Sequence, residues 1–324
     1  GIKYIIMGAF ASGFLLMGIA FVFGASGTTD LRRIAADISY IASNYRLYLY
    51  SGAALVLIGF AFKVAAVPFH AWVPDVYQGA PTPVTAFFSV GPKAAGFAAL
   101  LRIFSYGFEG LEALSAVFWV LAVLTMTVGN VLALRQSNVK RMLAYSSIAH
   151  AGYILVAPAV GGSDAISAAI FYLIAYGFFN LGAFAIVTQL ETRTGCKSDF
   201  TELAGLSKSH PYLSTFLAVF MFALAGFPPT IGFFGKFYLF GAAVNAGYIW
   251  LAVIGVLNSF ISVYYYFRVI KVSFLDNFDG VYSPVSYTPA LVAVLVITIA
   301  GTIGLGIFPG YLLEFTRAAL FSIL

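Results

Sequence analysis

Hydrophobic residues in this chain come in long runs separated by short polar segments, and they do not alternate. Nine predominantly apolar stretches stand out, at about 1–24, 47–67, 82–104, 113–134, 142–160, 165–190, 212–243, 247–270 and 287–308. They approach or exceed the ~20 residues that cross a bilayer as α-helix. No ~10-residue segments alternate apolar and polar positions, which argues against a membrane β-barrel. The pattern predicts an all-α, polytopic transmembrane helical bundle. Two stretches do not fit a plain helix. The run 212–243 is too long for one straight span at ~1.5 Å per residue across a ~30 Å core. Its centre reads AGFPPTIGFFGKF (225–237). There Pro228 and Pro229 lack amide donors, which frees the carbonyls of Leu224 and Ala225. The second run ends in FKVAAVPFHAWVPDVYQGAPTP (62–83), where Pro68 frees the carbonyl of Val64 and Pro74 that of His70. Each break has a lysine within two turns. Discontinuous helices at corresponding places in two halves point to an inverted-repeat transporter. Irregular backbone at membrane depth is tolerated where it lines a wet cavity.

Composition agrees. Of 324 residues, 61% are hydrophobic and 9% charged, against roughly 25% charged in soluble domains. The net charge of +5 is scattered through short loops, so it does not point to a nucleic-acid partner. The single cysteine, Cys196, excludes an internal disulfide framework and a cysteine-only metal cluster. Phosphate loops, metal-ligand spacings and nucleophile elbows are missing; GASG (24–27) and AVGGSD (159–164) are loop glycines between spans. The 33 Phe and 20 Tyr are expected to be lipid-facing and interfacial. The chain opens on Gly1 and runs straight into a span, which leads us to expect the C-terminal part of a longer membrane protein. Basic residues at alternate span ends favour one side. Lys3, Arg135, Lys140, Arg141, Arg193, Lys197, Lys208, Arg268 and Lys271 face Arg32, Arg33, Arg46, Arg102 and Arg317. Nine against five places the first group in the cytoplasm. The loop 191–211 is expected to be a short amphipathic piece on the membrane surface.

Three of the 17 basic residues remain: Lys63, Lys93 and Lys236. A lysine at the centre of a span costs ~2.5–3.5 kcal/mol on insertion scales. Snorkelling explains such residues near an interface and remains open for Lys63, whose span could end there. It fails for Lys93, near the middle of the third span and ~15 Å from either surface. The spans offer no Asp or Glu; Asp75, Glu109, Glu112 and Asp164 sit at span ends or in turns. Desolvation disfavours the charged form of an amine, so such lysines are candidates for proton handling. His150, inside the fifth span, is a candidate bridge between lysines, with an interhelical hydrogen bond as the competing reading. His70 lies seven residues after Lys63, on the same face of an unbroken helix, but Pro68 intervenes. Asn130, Asn180 and Asn258 are expected to bond between helices.

The segments FKVAAVPFHAWVPDVYQGAPTPVTAFFSVGPKAAGFAALLRIF, AYSSIAHAGY and LAGFPPTIGFFGKFYLF resemble the antiporter-like membrane subunits of respiratory complex I, and the likeness covers essentially the whole chain. VYQGAPTPV followed by SVGPKAAG resembles one branch of that family, because the two longer branches carry a histidine in the corresponding helix. The resemblance implies a fold of antiporter-like inverted repeats with two discontinuous helices. Residues 1–110 would hold the C-terminal part of the first repeat, 111–275 the second, and 276–324 a C-terminal transmembrane helix and tail. It implies a proton relay through Lys63, Lys93 and Lys236, with His150 and His70 as further candidates, coupled to NADH–quinone oxidoreduction elsewhere. Lys63 would pair with a glutamate on a helix preceding the first span. It also implies no cofactor or metal in this chain, with flavin, iron–sulfur clusters and quinone in partner subunits. The partners would be other membrane subunits of the complex, including the other antiporter-like ones, and the site a bacterial inner membrane or an organellar energy-converting membrane. A subunit of a stand-alone cation/proton antiporter and a purely structural membrane subunit are the competing readings.

Overall fold

The computed structural model describes residues 1–194, 198–276 and 287–323. Cys196 and Lys197 lie outside them, as does the side chain of Arg193. Among the described residues the chain is helical, with one isolated bridge, Asn138 to Asp199, and no strand. Eight helices are long and apolar enough to cross a membrane, and Pro211–Ala225 is a shorter apolar helix. These account for the nine predicted runs.

The seventh run is broken where its prolines lie. Pro211–Ala225 ends on Gly226 in the left-handed region (φ 89°), and a second helix, Ile231–Asn245, starts after Thr230. The second run breaks earlier than its hydropathy suggests. Its helix, Arg46–Val64, ends on Ala65 (φ 65°), and the chain re-forms a short helix at Val73–Gly79. The Val64–Trp72 stretch is apolar enough to extend a hydropathy window, yet Pro68 cannot continue the helix. Further helices among the described residues were not visible as apolar runs. Leu31–Ala36 and Ile38–Asn44 fill the loop after the first span, and the expected tail forms the helix Pro309–Ile323.

The fifth and sixth spans form the centre of the bundle, whereas the first is covered along only a small part of its length. The sequence AYSSIAHAGY explains that centre. Its small residues let the fifth span meet the fourth backbone to backbone: a methyl on Gly152 would lie 2.3 Å from the Met126 amide nitrogen. Without a hydrophobic force between helices in lipid, such close packing supplies the attraction. The outward faces carry Trp250, Leu257, Phe260 and Ile297, all exposed, as lipid requires.

The ends of the spans sort as the charge count implies. Lys3 and Arg141 both donate to Asp75, at 2.5 and 2.9 Å, and Arg268 donates to the Gln136 carbonyl at 3.0 Å. Lys3, Arg141 and Arg268 therefore share one end of the bundle. Arg317 pairs with Asp164, a contact that ties the terminal helix to the start of the sixth span. The two cations beside Asp75, Lys3 first and Arg141 second, hold its carboxyl below the usual carboxylate range. The expected surface piece after residue 190 has buried apolar contacts: the sixth helix continues to Thr194, and Phe200, Leu203 and Leu206 are buried.

Candidate functional site

Each broken helix presents its lysine differently. At the second break, Lys236 is nearly buried, at 6% exposure. Its ammonium donates to the carbonyls of Leu224 (3.1 Å) and Ala225 (2.8 Å) and to the Ser259 hydroxyl (2.8 Å). Those carbonyls are the two that Pro228 and Pro229 leave without amide partners. The cation thus closes the end of the first half-helix, where carbonyl groups and the helix dipole both favour positive charge. Its nitrogen also lies 5.2 Å from the centre of the Tyr153 ring. Gly226 makes the approach possible, because a methyl there would sit 3.0 Å from Lys236 Cδ.

The first break is closed without its lysine. The Trp72 indole donates to the Phe62 carbonyl at 3.2 Å, and the Val67 amide donates to Thr125 Oγ1 at 3.0 Å. The His70 carbonyl, which the missing amide of Pro74 was expected to leave open, accepts from the Val73 amide at 3.0 Å. Lys63 makes no hydrogen bond or ion pair among the described residues, and is half-buried. Its stem packs against Gly96 of the third span, where a methyl would lie 3.1 Å from Lys63 Cγ. Gly96 is one turn from Lys93, so both lysines face the same stretch of that helix. His70 joins neither. With the helix ended at Val64, seven-residue spacing no longer places it below Lys63, and its Nδ1 is buried with no hydrogen-bond partner.

Lys93 is 3% exposed. It donates to the Ser147 carbonyl at 2.6 Å and to the Ser147 hydroxyl, and lies 6.0 Å from the Tyr176 ring centre. No acid meets it. Lys93 and Lys236 are therefore compensated, but by carbonyls, hydroxyls and ring faces, none of which carries a formal charge. One turn beyond Ser147, His150 is 1% exposed. Its Nδ1 bonds the Tyr172 hydroxyl at 2.7 Å and its Nε2 the Tyr266 hydroxyl at 3.0 Å. Ser147, which holds Lys93, and Tyr153, over whose ring Lys236 sits, lie one turn to either side of His150 on the fifth span.

The structure thus groups Lys93, His150 and Lys236 around the fifth span, places Lys63 beside Lys93, and leaves His70 apart. Sequence reasoning missed Ser146, Ser147, Tyr172, Tyr266 and Ser259. Lipid-facing and interfacial positions are expected for the tyrosines, yet Tyr77, Tyr153, Tyr172, Tyr176, Tyr265 and Tyr266 are all fully buried. The four-residue spacing of Ser146 and His150 was the available signal. Lys140 was counted as a loop charge; it is buried and pairs with Glu191 at 3.3 Å, which Thr82 and Ser198 also contact. Asn130 and Asn258 do bond across helices, at 3.2 Å, and Asn180 donates to Ser89 at 2.7 Å. Among the described residues no group of three or more His, Cys, Asp or Glu side chains comes together.

Residues 1–262 match the family model described as NADH:quinone oxidoreductase/Mrp antiporter, transmembrane. The chain is 50% identical over 320 residues to NADH-quinone oxidoreductase subunit N of Trichlorobacter lovleyi, an alignment covering 98% of this chain and 66% of that protein. It therefore spans just under two thirds of that relative. Among solved structures, a chain of respiratory complex I from Thermus thermophilus superposes with a TM-score of 0.82 at 35% identity, over 97% of this chain and 67% of the other. A chain of the Mrp complex from Dietzia sp. superposes with a TM-score of 0.86 at 26% identity, over 98% and 66%.

Proposed function

The chain belongs to the NADH:quinone oxidoreductase/Mrp antiporter transmembrane family, and on that premise we propose that it works as a proton-translocating membrane subunit of an NADH–quinone oxidoreductase. The observation that carries the reading is Lys93: a buried intramembrane cation held by one serine, with no counter-ion among the described residues and one turn from the stem of Lys63. A charge so placed costs several kcal/mol, and the fold retains it without using it to close a helix end. Protonation changes at Lys63 would bias Lys93 and, through His150, Lys236. Unit charges ~8 Å apart interact by about 2 kcal/mol at an effective dielectric of 20, enough to pass a signal along such a row.

The redox chemistry belongs, in this reading, to partner subunits that carry flavin, iron–sulfur clusters and quinone. The neighbours in the membrane are the other antiporter-like subunits, and the location is a bacterial inner membrane with Lys3, Arg141 and Arg268 on the cytoplasmic side. The division into repeats at 110/111 and 275/276 is part of the same proposal. The half-buried, unpaired Lys63 suits a carboxylate partner on another helix. Purification from native membranes tests the assignment. Flavin and iron–sulfur subunits should accompany the chain; their absence, with cation/proton exchange retained, would favour the antiporter reading suggested by the likeness to an Mrp chain. Pumping that survives Lys93→Met would favour a structural role.

A further inference from the structure

The eighth span, Ile249–Leu275, leaves one face bare along most of its length. Val253, Val256, Leu257, Phe260, Tyr264 and Phe267 recur at helical spacing and are between 38% and 71% exposed. Lys271, also exposed, stands at the head of the same stripe. Any span shows lipid an apolar face, but this one is not flat. An apolar groove of about 740 Å3 runs between it and the second half-helix of the seventh span, Ile231–Asn245. Phe233, Phe237, Phe240 and Val244 line the groove from the seventh span, and Lys236 and Ser259 add polar atoms to its lining.

A second hollow, of about 770 Å3, continues the stripe at its Arg268 end. Phe267 lines this hollow and Phe227 lines the groove. Their ring centres are 5.6 Å apart, so the two spaces meet at that pair. The hollow is polar where the groove is not: Arg268, Lys271, Asp276 and Thr201 all line it. Arg268 is held in place there. It donates to the Gln136 carbonyl at 3.0 Å, and its guanidinium carbon lies 4.2 Å from the centre of the Phe200 ring. One nitrogen serves that carbonyl, and a guanidinium has five N–H donors in a rigid fork suited to phosphate.

We propose that the hollow and the groove together bind one phospholipid, its phosphate between Arg268 and Lys271 and one acyl chain lying past Phe267 and Phe227 into the groove beside Lys236. Two cations and one acid leave the hollow one net positive charge, which matches the single negative charge of a phosphodiester. Polar head site and apolar tail site follow one another along a single helix face, in the order that a lipid presents them. From Arg268 to Val253 the stripe runs roughly 22 Å at ~1.5 Å per residue, more than the ~15 Å depth of one leaflet, so a tail has the groove's wall beside it throughout. A helix of a neighbouring protein would match the apolar stripe, but not the basic pair at its head, which calls for an anion. The inference needs only that the chain spans a membrane, and it stands apart from the proton-translocating reading.

Photolabelling of the assembled complex in vesicles tests the site. The probe is a phosphatidylglycerol with a diazirine near the end of one acyl chain, and its control is the diacylglycerol with the same chains and no phosphate. Peptides covering 231–245 and 249–263 should take up the phosphatidylglycerol probe about tenfold more than the control. The double variant Arg268→Gln, Lys271→Gln should lose that preference. Because Arg268 also bonds the main chain, Lys271→Gln alone, at an exposed position, supplies the variant that leaves the fold intact; it should lower labelling several-fold. Arg317→Gln, which breaks only the exposed pair with Asp164, should label as wild type does. Equal labelling by the two probes, or labelling unchanged in both Lys271→Gln and the double variant, would overturn the proposal. So would labelling by neither probe while a neighbouring subunit cross-links to the groove, which would give this face to a protein partner.

Discussion

Lys236→Met is predicted to damage the fold at the second break, whereas Lys93→Met leaves its helix intact, although both remove one buried ammonium. The difference lies in what each nitrogen holds. Lys236 donates to the Leu224 and Ala225 carbonyls, and proline has removed their amide partners. Ser259 reaches the Ala225 carbonyl at 3.3 Å and can keep it partly satisfied; Leu224 keeps no replacement. A buried acceptor left open costs ~1–3 kcal/mol, and the lost contact with the Tyr153 ring about 0.5–2 more. The expected local cost is therefore roughly 2–4 kcal/mol. At Lys93 the accepting Ser147 carbonyl lies inside a regular helix, where the main chain four residues on already satisfies it. Hydrogen–deuterium exchange in the purified complex separates the two. Amides across 224–232 should exchange roughly 30- to 700-fold faster in Lys236→Met, given tenfold per ~1.4 kcal/mol, and those of 143–151 should change less than threefold in Lys93→Met. Lys236→Arg, which keeps several donors, should lie between wild type and Lys236→Met. Equal exchange at the second break in wild type and Lys236→Met would refute the view that this cation closes it.

Two further outcomes follow from the same geometry. Gly96→Ala places a methyl 3.1 Å from Lys63 Cγ and should displace that stem along the third span, so coupled turnover should drop several-fold while assembly is unchanged; an unaffected rate would show that the position of Lys63 beside Lys93 does not matter. Asp75, held below the usual carboxylate range by Lys3 and Arg141, contributes stability that is present above the unfolded value near 3.9 and lost as pH falls through the folded one. Since its side chain is about one third exposed, screening keeps the effect small. The thermal midpoint of wild type should exceed that of Asp75→Asn by a degree or two at neutral pH, and the gap should close in acid below about pH 4; a gap that widens in acid would contradict the pairing.

Much of this was legible before any coordinates. Spans follow from apolar runs because lipid offers the backbone no other partner, and the prolines of AGFPPTIGFFGKF located the second break to within a residue or two. What the sequence withheld was how charge is compensated. Lys93 and Lys236 looked bare because only acids were sought as partners; their partners are main-chain carbonyls and serines, which have no sequence signature. The buried tyrosines were hidden for a related reason. Tyr266 and Tyr172 resemble interfacial residues in composition, and only the packing of three separate helices turns their hydroxyls toward His150. At the first break the failure was one of register: the helix ends at Val64, so the face shared by Lys63 and His70 on paper does not exist.

The central claim is that Lys93 carries protons and does not hold the fold together. Proton pumping measured per NADH oxidised, in vesicles bearing the assembled complex with Lys93→Met, tests it most directly. The predicted result is full assembly with pumping reduced at least tenfold. A normal proton yield from a normally assembled Lys93→Met complex would contradict the account.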